Sequence, residues 1–170
     1  MKMQRKFLLR DSRGDQDLGF VYACSGYLVE NGKVLLVHHN GWNKWVPPGG
    51  HLEPGDSFAR TAEREFEEET GLKVKAVSSQ PNINPGDKMA VVEPVPFYID
   101  VEFDFEPNPG IVQFYWVRRT EASKNKAHKA QSAELHGIDW FSVEQLKNLP
   151  TFEQVRKVAA YALKHHPDAL

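Results

Sequence analysis

Five glutamates fall between Glu63 and Glu69, separated only by Arg64 and Phe66. At about 100° per residue of helix, Glu63 and Glu67 point one way, while Glu65, Glu68 and Glu69 share the opposite side. With Phe58 as origin, Ala62 falls near +40° and Phe66 near +80°. Glu65 then lies near −20°, Glu69 near +20° and Glu68 near −80°, roughly as helical geometry requires. Three carboxylates therefore border the face that must pack on a core. Exposed like charges at i,i+3 and i,i+4 cost about 0.2–0.5 kcal/mol per pair, and desolvation raises that cost. A divalent cation turns the repulsion into coordination, so the chemistry to expect is metal-dependent. Just upstream, Pro47-Pro48 stiffens the chain before Gly49-Gly50, where missing side chains let the backbone approach a metal or a phosphate.

Those groups need elements to hold them. Ser57 is placed to cap a helix over 58–70, and Gly71 to end it in a left-handed conformation. Strand-like runs at 20–29 and 33–38 flank Asn31-Gly32, the pair most favourable to a tight hairpin. Residues 39–48 read as a loop. Strand character returns at 72–78, 91–105, 111–118 and 138–141, with a turn at 107–110, and 120–133 reads as a polar loop. Ser142 caps a helix ending before Pro150. A last helix over 151–165 lines up Phe152, Val155, Val158, Ala159, Ala162 and Leu163 on one side. Phe7-Leu8-Leu9 predicts an edge strand, followed by a loop at 11–17. The pattern is α/β (α+β): one domain over 1–170, a mixed sheet covered by helices.

The 170 residues carry 41% apolar content and a formal net charge of −2. That balance argues against nucleic-acid binding through a general positive field, and it leaves small polyphosphates open. Cys24 is the one cysteine, so neither an intramolecular disulfide nor a thiolate zinc site is expected. No stretch is long and apolar enough for a membrane span and residues 1–10 lack a secretory apolar core, so a cytoplasmic location is the default expectation.

The run from Gly50 to Leu72 resembles the Nudix box: glycine, five residues, glutamate, seven residues, Arg-Glu, a bulky residue, any residue, Glu-Glu, any residue, glycine and a bulky aliphatic. Gly50, Arg64, Glu65, Phe66, Glu68, Glu69, Gly71 and Leu72 fit in register, while Asp56 stands where the family usually has glutamate. The lead-in Trp45-Val46-Pro47-Pro48-Gly49 is similar too. The resemblance is to MutT-type members of the Nudix hydrolase family and implies an α/β/α sandwich with a mixed β-sheet.

The resemblance further implies a pyrophosphohydrolase acting on a nucleoside diphosphate linked to another group, with nucleoside triphosphates the default substrate. Mg²⁺, or Mn²⁺ in its place, would be held by the Gly49 carbonyl, Glu68 and Glu69. Glu65 would be a further ligand or the base that takes a proton from water. Arg64 would orient Glu65, and Asp56 would act from behind the ligands, one methylene short. Glu134, six residues before Trp140, is the candidate late metal ligand, with Glu121 the alternative. The rival function is a binding module that keeps the fold without turnover.

Other residues admit two readings. Lys124, Lys126, His128 and Lys129 read as a solvated cluster or as phosphate contacts. Trp42, Trp45, Phe97 and Tyr115 read as core or as base-stacking groups, and His38 and His39 as strand-end residues or phosphate contacts.

Overall fold

Asn31 and Gly32 both take positive φ, 51° and 69°. This primed turn matches strand twist and joins β1 (Val21–Glu30) to β2 (Lys33–His39) with Glu30 opposite Lys33. The computed structural model describes residues 20–78, 83–86, 88–103 and 108–168. The strand expected at 7–9 and the loop at 11–17 lie outside the described residues, as does Pro107 of the expected turn.

β1 is buried on both faces. Ala23, Tyr27 and Val29 belong to one core, while Cys24 and Leu28 belong to the other. Such a strand needs cover on each side of the sheet. On the first side, β1 pairs in parallel with β7 (Gly110–Arg119), from Val21↔Gly110 to Leu28↔Val117. The outer side of β7 takes two strands in succession, β6 (Tyr98–Glu102) and β5 (Val74–Val77). On the second side, β1 pairs with β4 (Gly49–His51), and β2 carries β3 (Lys44–Val46) and β8 (Leu135–Phe141). One parallel pair among antiparallel neighbours makes this a mixed sheet.

Helix α1 (Phe58–Thr70) covers one face. Its start is capped by Ser57 Oγ, which accepts from the Arg60 N–H at 3.3 Å, and it ends at Gly71 with φ 71°. Ala59, Ala62 and Phe66 pack there with Leu28, Leu72, Val74 and Val117. Phe66 is fully buried, and truncating such a side chain to alanine costs about 3–5 kcal/mol. The other face is covered by α2 (Val143–Leu146), started by a Ser142–Gln145 capping box, and α3 (Glu153–His165). Val158, Ala159 and Ala162 of α3 meet Tyr27, Leu36, Trp116 and Phe141. Helix, sheet and helix layers form the α/β/α sandwich.

Several boundaries differ from expectation. β3 occupies part of the 39–48 run that reads as a loop, and β4 follows it at Gly49–His51, where no strand is expected. Among the described residues of the run 91–105, Tyr98–Glu102 alone is strand, and Val91, Val92 and Val95 before it stay exposed. β8 begins at Leu135, three residues early. The first C-terminal helix stops at Leu146. The second starts at Glu153 because Thr151 bridges to Trp45 and its Oγ1 donates to the Trp45 carbonyl at 2.5 Å, holding that residue extended.

Candidate active site

β4 is three residues long, and its position depends on glycine. A Cβ on Gly49 would collide with the Cys24 carbonyl and Ser25, so only glycine lets β4 lie in register with Cys24 and Ser25. A Cβ on Gly50 would lie 2.5 Å from Glu65 Oε2, in space now filled by that carboxylate. The edge strand and the acidic helix are thus fitted to each other through a missing side chain. Glu69 Oε2 completes the join by accepting the Gly49 N–H at 3.1 Å.

Arg64 organises the rest. Its Nε donates to Asp56 Oδ2 at 2.9 Å, Nη1 donates to Glu65 Oε1 at 2.8 Å and to Glu68 Oε2 at 3.3 Å, and Nη2 donates to the His51 carbonyl at 3.1 Å. Asp56 also pairs with Arg60 at 3.1 Å. The shorter acid therefore reaches Arg64, and capping falls to Ser57. On the far side of α1, Glu63 accepts the Ala76 N–H at 2.9 Å and the Lys75 ammonium at 2.8 Å, while Glu67 lies 3.7 Å from Lys73. The five glutamates divide into two sets, as helical geometry requires.

Glu134 reaches the same place from the opposite side. The Gln131 N–H donates to the Glu69 carbonyl at 3.1 Å, the Lys129 N–H to the Thr70 carbonyl at 3.0 Å and the Asn40 N–H to the Glu134 carbonyl at 2.8 Å. These bonds tie the 129–134 segment to the end of α1 and to the loop after β2. Glu65, Glu68, Glu69 and Glu134 all line one cavity of about 890 Å³. Glu121 does not. It pairs with Lys124 at 3.6 Å in a 3₁₀ turn.

The charges feel one another. Burial, then the Glu65, Glu134 and Glu68 charges, push the Glu69 carboxyl up to about 8 against the lowering effect of the Gly49 N–H. Burial likewise raises Glu65, opposed by Arg64. Two neighbouring carboxylates raised by burial and carboxylate repulsion, Glu65 and Glu69, are groups whose charge a bound cation would relieve. Among the described residues no three acidic or histidine side chains stand in ligating distance of a common point. Arg64 instead draws Glu65 and Glu68 to itself. The donor set, all oxygen, and the glycine-lined approach at Gly50 fit a hard divalent cation.

The cavity wraps round the edge strand β4 onto the opposite sheet face, where Ala23, Val112, Phe114, Phe152 and Val155 form apolar walls. Trp42 also lines it. That residue is 49% exposed and stacks on His39 with centroids 4.2 Å apart, and its ring meets Phe152 edge-on at 5.8 Å. Trp45, Phe97 and Tyr115 are packing groups: Trp45 meets Phe141 edge-on, Phe97 stacks on Trp116, and Tyr115 is buried. His39 is in the cavity, with Nε2 4.0 Å from Glu134, and His38 packs on Trp45. Lys124, Lys126, His128 and Lys129 are not among the lining residues. Glu102 and Gln154 are, and neither was singled out from sequence, since nothing local in the chain marks them.

The sequence model of the NUDIX domain matches residues 22–162. The chain belongs to the NUDIX family of hydrolases. It is 28% identical over 123 residues to a bis(5'-nucleosyl)-tetraphosphatase [asymmetrical] of Mus musculus, with 72% of each chain covered. It is 45% identical over 53 residues to the m7GpppN-mRNA hydrolase NUDT17 of Xenopus laevis, a match spanning 28% of this chain and 18% of that protein. The crystal structure of a NUDIX-family hydrolase from Clostridium perfringens superposes with a TM-score of 0.69 at 25% identity, covering 84% of this chain and 95% of the other. Among the described residues, no helix is long and apolar enough to cross a membrane.

Proposed function

We propose that the protein is a Mg²⁺-dependent pyrophosphohydrolase that cleaves a phosphoanhydride bond in a nucleoside polyphosphate, a nucleoside diphosphate linked to a further group. The observation that carries this is the convergence of Glu65, Glu68, Glu69 and Glu134 on one cavity, with Glu69 pushed up to about 8 among them. Glu68, Glu69, Glu134 and the Gly49 carbonyl would hold the cation, with Mn²⁺ able to replace Mg²⁺. When bound, such an ion neutralises phosphate charge and acidifies water.

The chain's own residues do the remainder. Glu65, raised by burial and steadied by Arg64 at 2.8 Å, is the group suited to take a proton from the attacking water. Arg64 must release part of its hold on Glu68 for that carboxylate to serve a cation, and Asp56 keeps the guanidinium in place meanwhile. Trp42, with its exposed face over the cavity mouth, offers a stacking surface for a base.

A second substrate reading is a dinucleoside polyphosphate, favoured by the 72% two-way coverage of the mouse tetraphosphatase. The frog relative's name adds capped RNA ends as a third class to assay. The deciding experiment is a screen of nucleoside triphosphates, dinucleoside polyphosphates and cap analogues with Mg²⁺ or with chelator, with products identified by mass. Glu68→Gln is expected to abolish turnover. Tight nucleotide binding with no metal-dependent product from any substrate would instead make the protein a binding module.

A further inference from the structure

Glu134 stands just past an irregularity in the sheet. The β2–β8 ladder runs from Val34↔Phe141 to His38↔Gly137 and then slips, so that Leu135 rather than His136 faces His39. A bulge of this kind re-aims what the chain carries next, which here is Glu134. Its direction therefore depends on the bonds made beyond the slip. Within the turn, the Leu135 N–H donates to the Ser132 carbonyl and the Glu134 N–H to Ser132 Oγ, both at 3.2 Å. From outside the turn, Asn40 makes two more bonds. Its backbone N–H donates to the Glu134 carbonyl at 2.8 Å, and its side-chain Nδ2 donates to the Ala133 carbonyl at 3.0 Å. Those carbonyls belong to the two peptide units that flank the Glu134 Cα. Each unit is planar, so holding both fixes the direction in which the Glu134 side chain leaves the backbone. His39 Nε2, 4.0 Å from Glu134 Oε2, is beyond hydrogen-bond reach, which leaves the aiming to the backbone.

On the basis of the hydrolase function proposed above, we propose that Asn40 is a positioning residue for Glu134. By gripping the Ala133 and Glu134 carbonyls it turns the Glu134 carboxylate into the cavity where Glu68 and Glu69 would hold the cation. The Asn40 side chain itself points to such a role. Its Oδ1 is buried and has no hydrogen-bond partner, a desolvation cost that an apolar side chain of the same size would avoid. What the amide contributes is its donor, and that donor goes to the peptide leading into Glu134. The backbone bonds from Lys129 and Gln131 to the end of α1 stop short of this peptide, so they hold the segment without setting the direction of its carboxylate.

The test is a double-mutant cycle over the parent, Asn40→Leu, Glu134→Gln and the variant carrying both. It reads the Kd of Mn²⁺ alone by electron paramagnetic resonance, the Mg²⁺ concentration for half-maximal hydrolysis of ATP, GTP and diadenosine tetraphosphate, and Tm. Asn40→Leu keeps the backbone N–H and nearly the volume while removing the side-chain donor. It is expected to raise the Mn²⁺ Kd and the Mg²⁺ requirement about tenfold, the lower end of what groups that orient metal ligands contribute. Tm should stay within about 4 °C of the parent. Beside Glu134→Gln, the same substitution is expected to change the Mn²⁺ Kd by less than about twofold, since the group it aims is already lost. The same cycle on Asn40→Ser decides the matter if leucine unfolds the protein. An unchanged Mn²⁺ Kd in the Asn40 variant, or an equal loss in both backgrounds, makes Asn40 a loop anchor only and overturns the assignment. Coupled Mn²⁺ binding without turnover of any nucleotide would refute hydrolysis and leave the positioning role standing. Metal-dependent turnover with no coupling between the two residues would do the reverse. A parent that binds no Mn²⁺ overturns both.

Discussion

Gly50→Ala isolates the position of one carboxylate from the stability of the fold. The added Cβ would overlap the Glu65 carboxyl carbon and both its oxygens, the farthest, Oε2, at 2.5 Å against an ordinary contact of about 3.5 Å, so the carboxylate must retreat by more than about 1 Å. The obstacle is the end of a flexible side chain, which can swing while the backbone stays. A displacement of that size at a reacting group costs on the order of 10²-fold in rate, equivalent to about 2.7 kcal/mol. Thermal stability is expected to hold, because alanine is not disfavoured relative to glycine in a strand and one kcal/mol moves Tm by only about 2–4 °C at this size. The assay pairs kcat/KM for nucleotide hydrolysis with a calorimetric melt. A variant with the parent's Tm and the parent's kcat/KM would refute the placement of Glu65 in the chemistry. Loss of both activity and Tm would refute the claim that the fold tolerates the methyl group.

Gly49→Ala should behave in the opposite way, because its Cβ meets the Cys24 carbonyl and Ser25, which cannot swing aside. Denaturant unfolding is expected to show destabilisation of about 1–3 kcal/mol from local overpacking. In chelator, Glu69 should make the protein pH-sensitive: its folded pKa of about 8 lies above the unfolded value, so the stability it contributes is present below about 4.5 and is lost as pH rises through about 8. Melts of the parent against Glu69→Gln between pH 4.5 and 9 should diverge progressively, and parallel curves would count against a buried carboxyl. The Cys24 thiol, pushed up to about 12 mainly by burial, should resist an aromatic disulfide reagent at pH 8 until the chain is unfolded. Rapid labelling of native protein would show that the cavity floor is open at Cys24.

The acidic helix was legible because every cue in it is local. Ser57 and Gly71 mark the ends, the apolar stripe sets the face, and the carboxylates keep a fixed phase against it. The hairpin at Asn31-Gly32 was legible for the same reason. β4 was not, since Gly49-Gly50 shows no strand pattern when its strand partners are unknown, and its pairing exists only because Cys24 and Ser25 lie alongside. The apolar run before Tyr98 misled in the other direction: Val91, Val92 and Val95 have strand composition but pair with no strand among the described residues, and they stay exposed. Trp42 looked like one more core aromatic, and only the loop tied down by Asn40 leaves its face open. Glu102 and Gln154 are brought into the cavity by sheet register and helix docking, which no short window of sequence contains.

Because β4 is a narrow rim, the cavity draws its two ends from separate layers of the sandwich. Substitutions on β6 and at the start of α3 can alter what is held at one end without disturbing the packing that aligns the acidic helix at the other. Such a division lets substrate choice drift over evolutionary time while the hydrolytic apparatus is inherited unchanged.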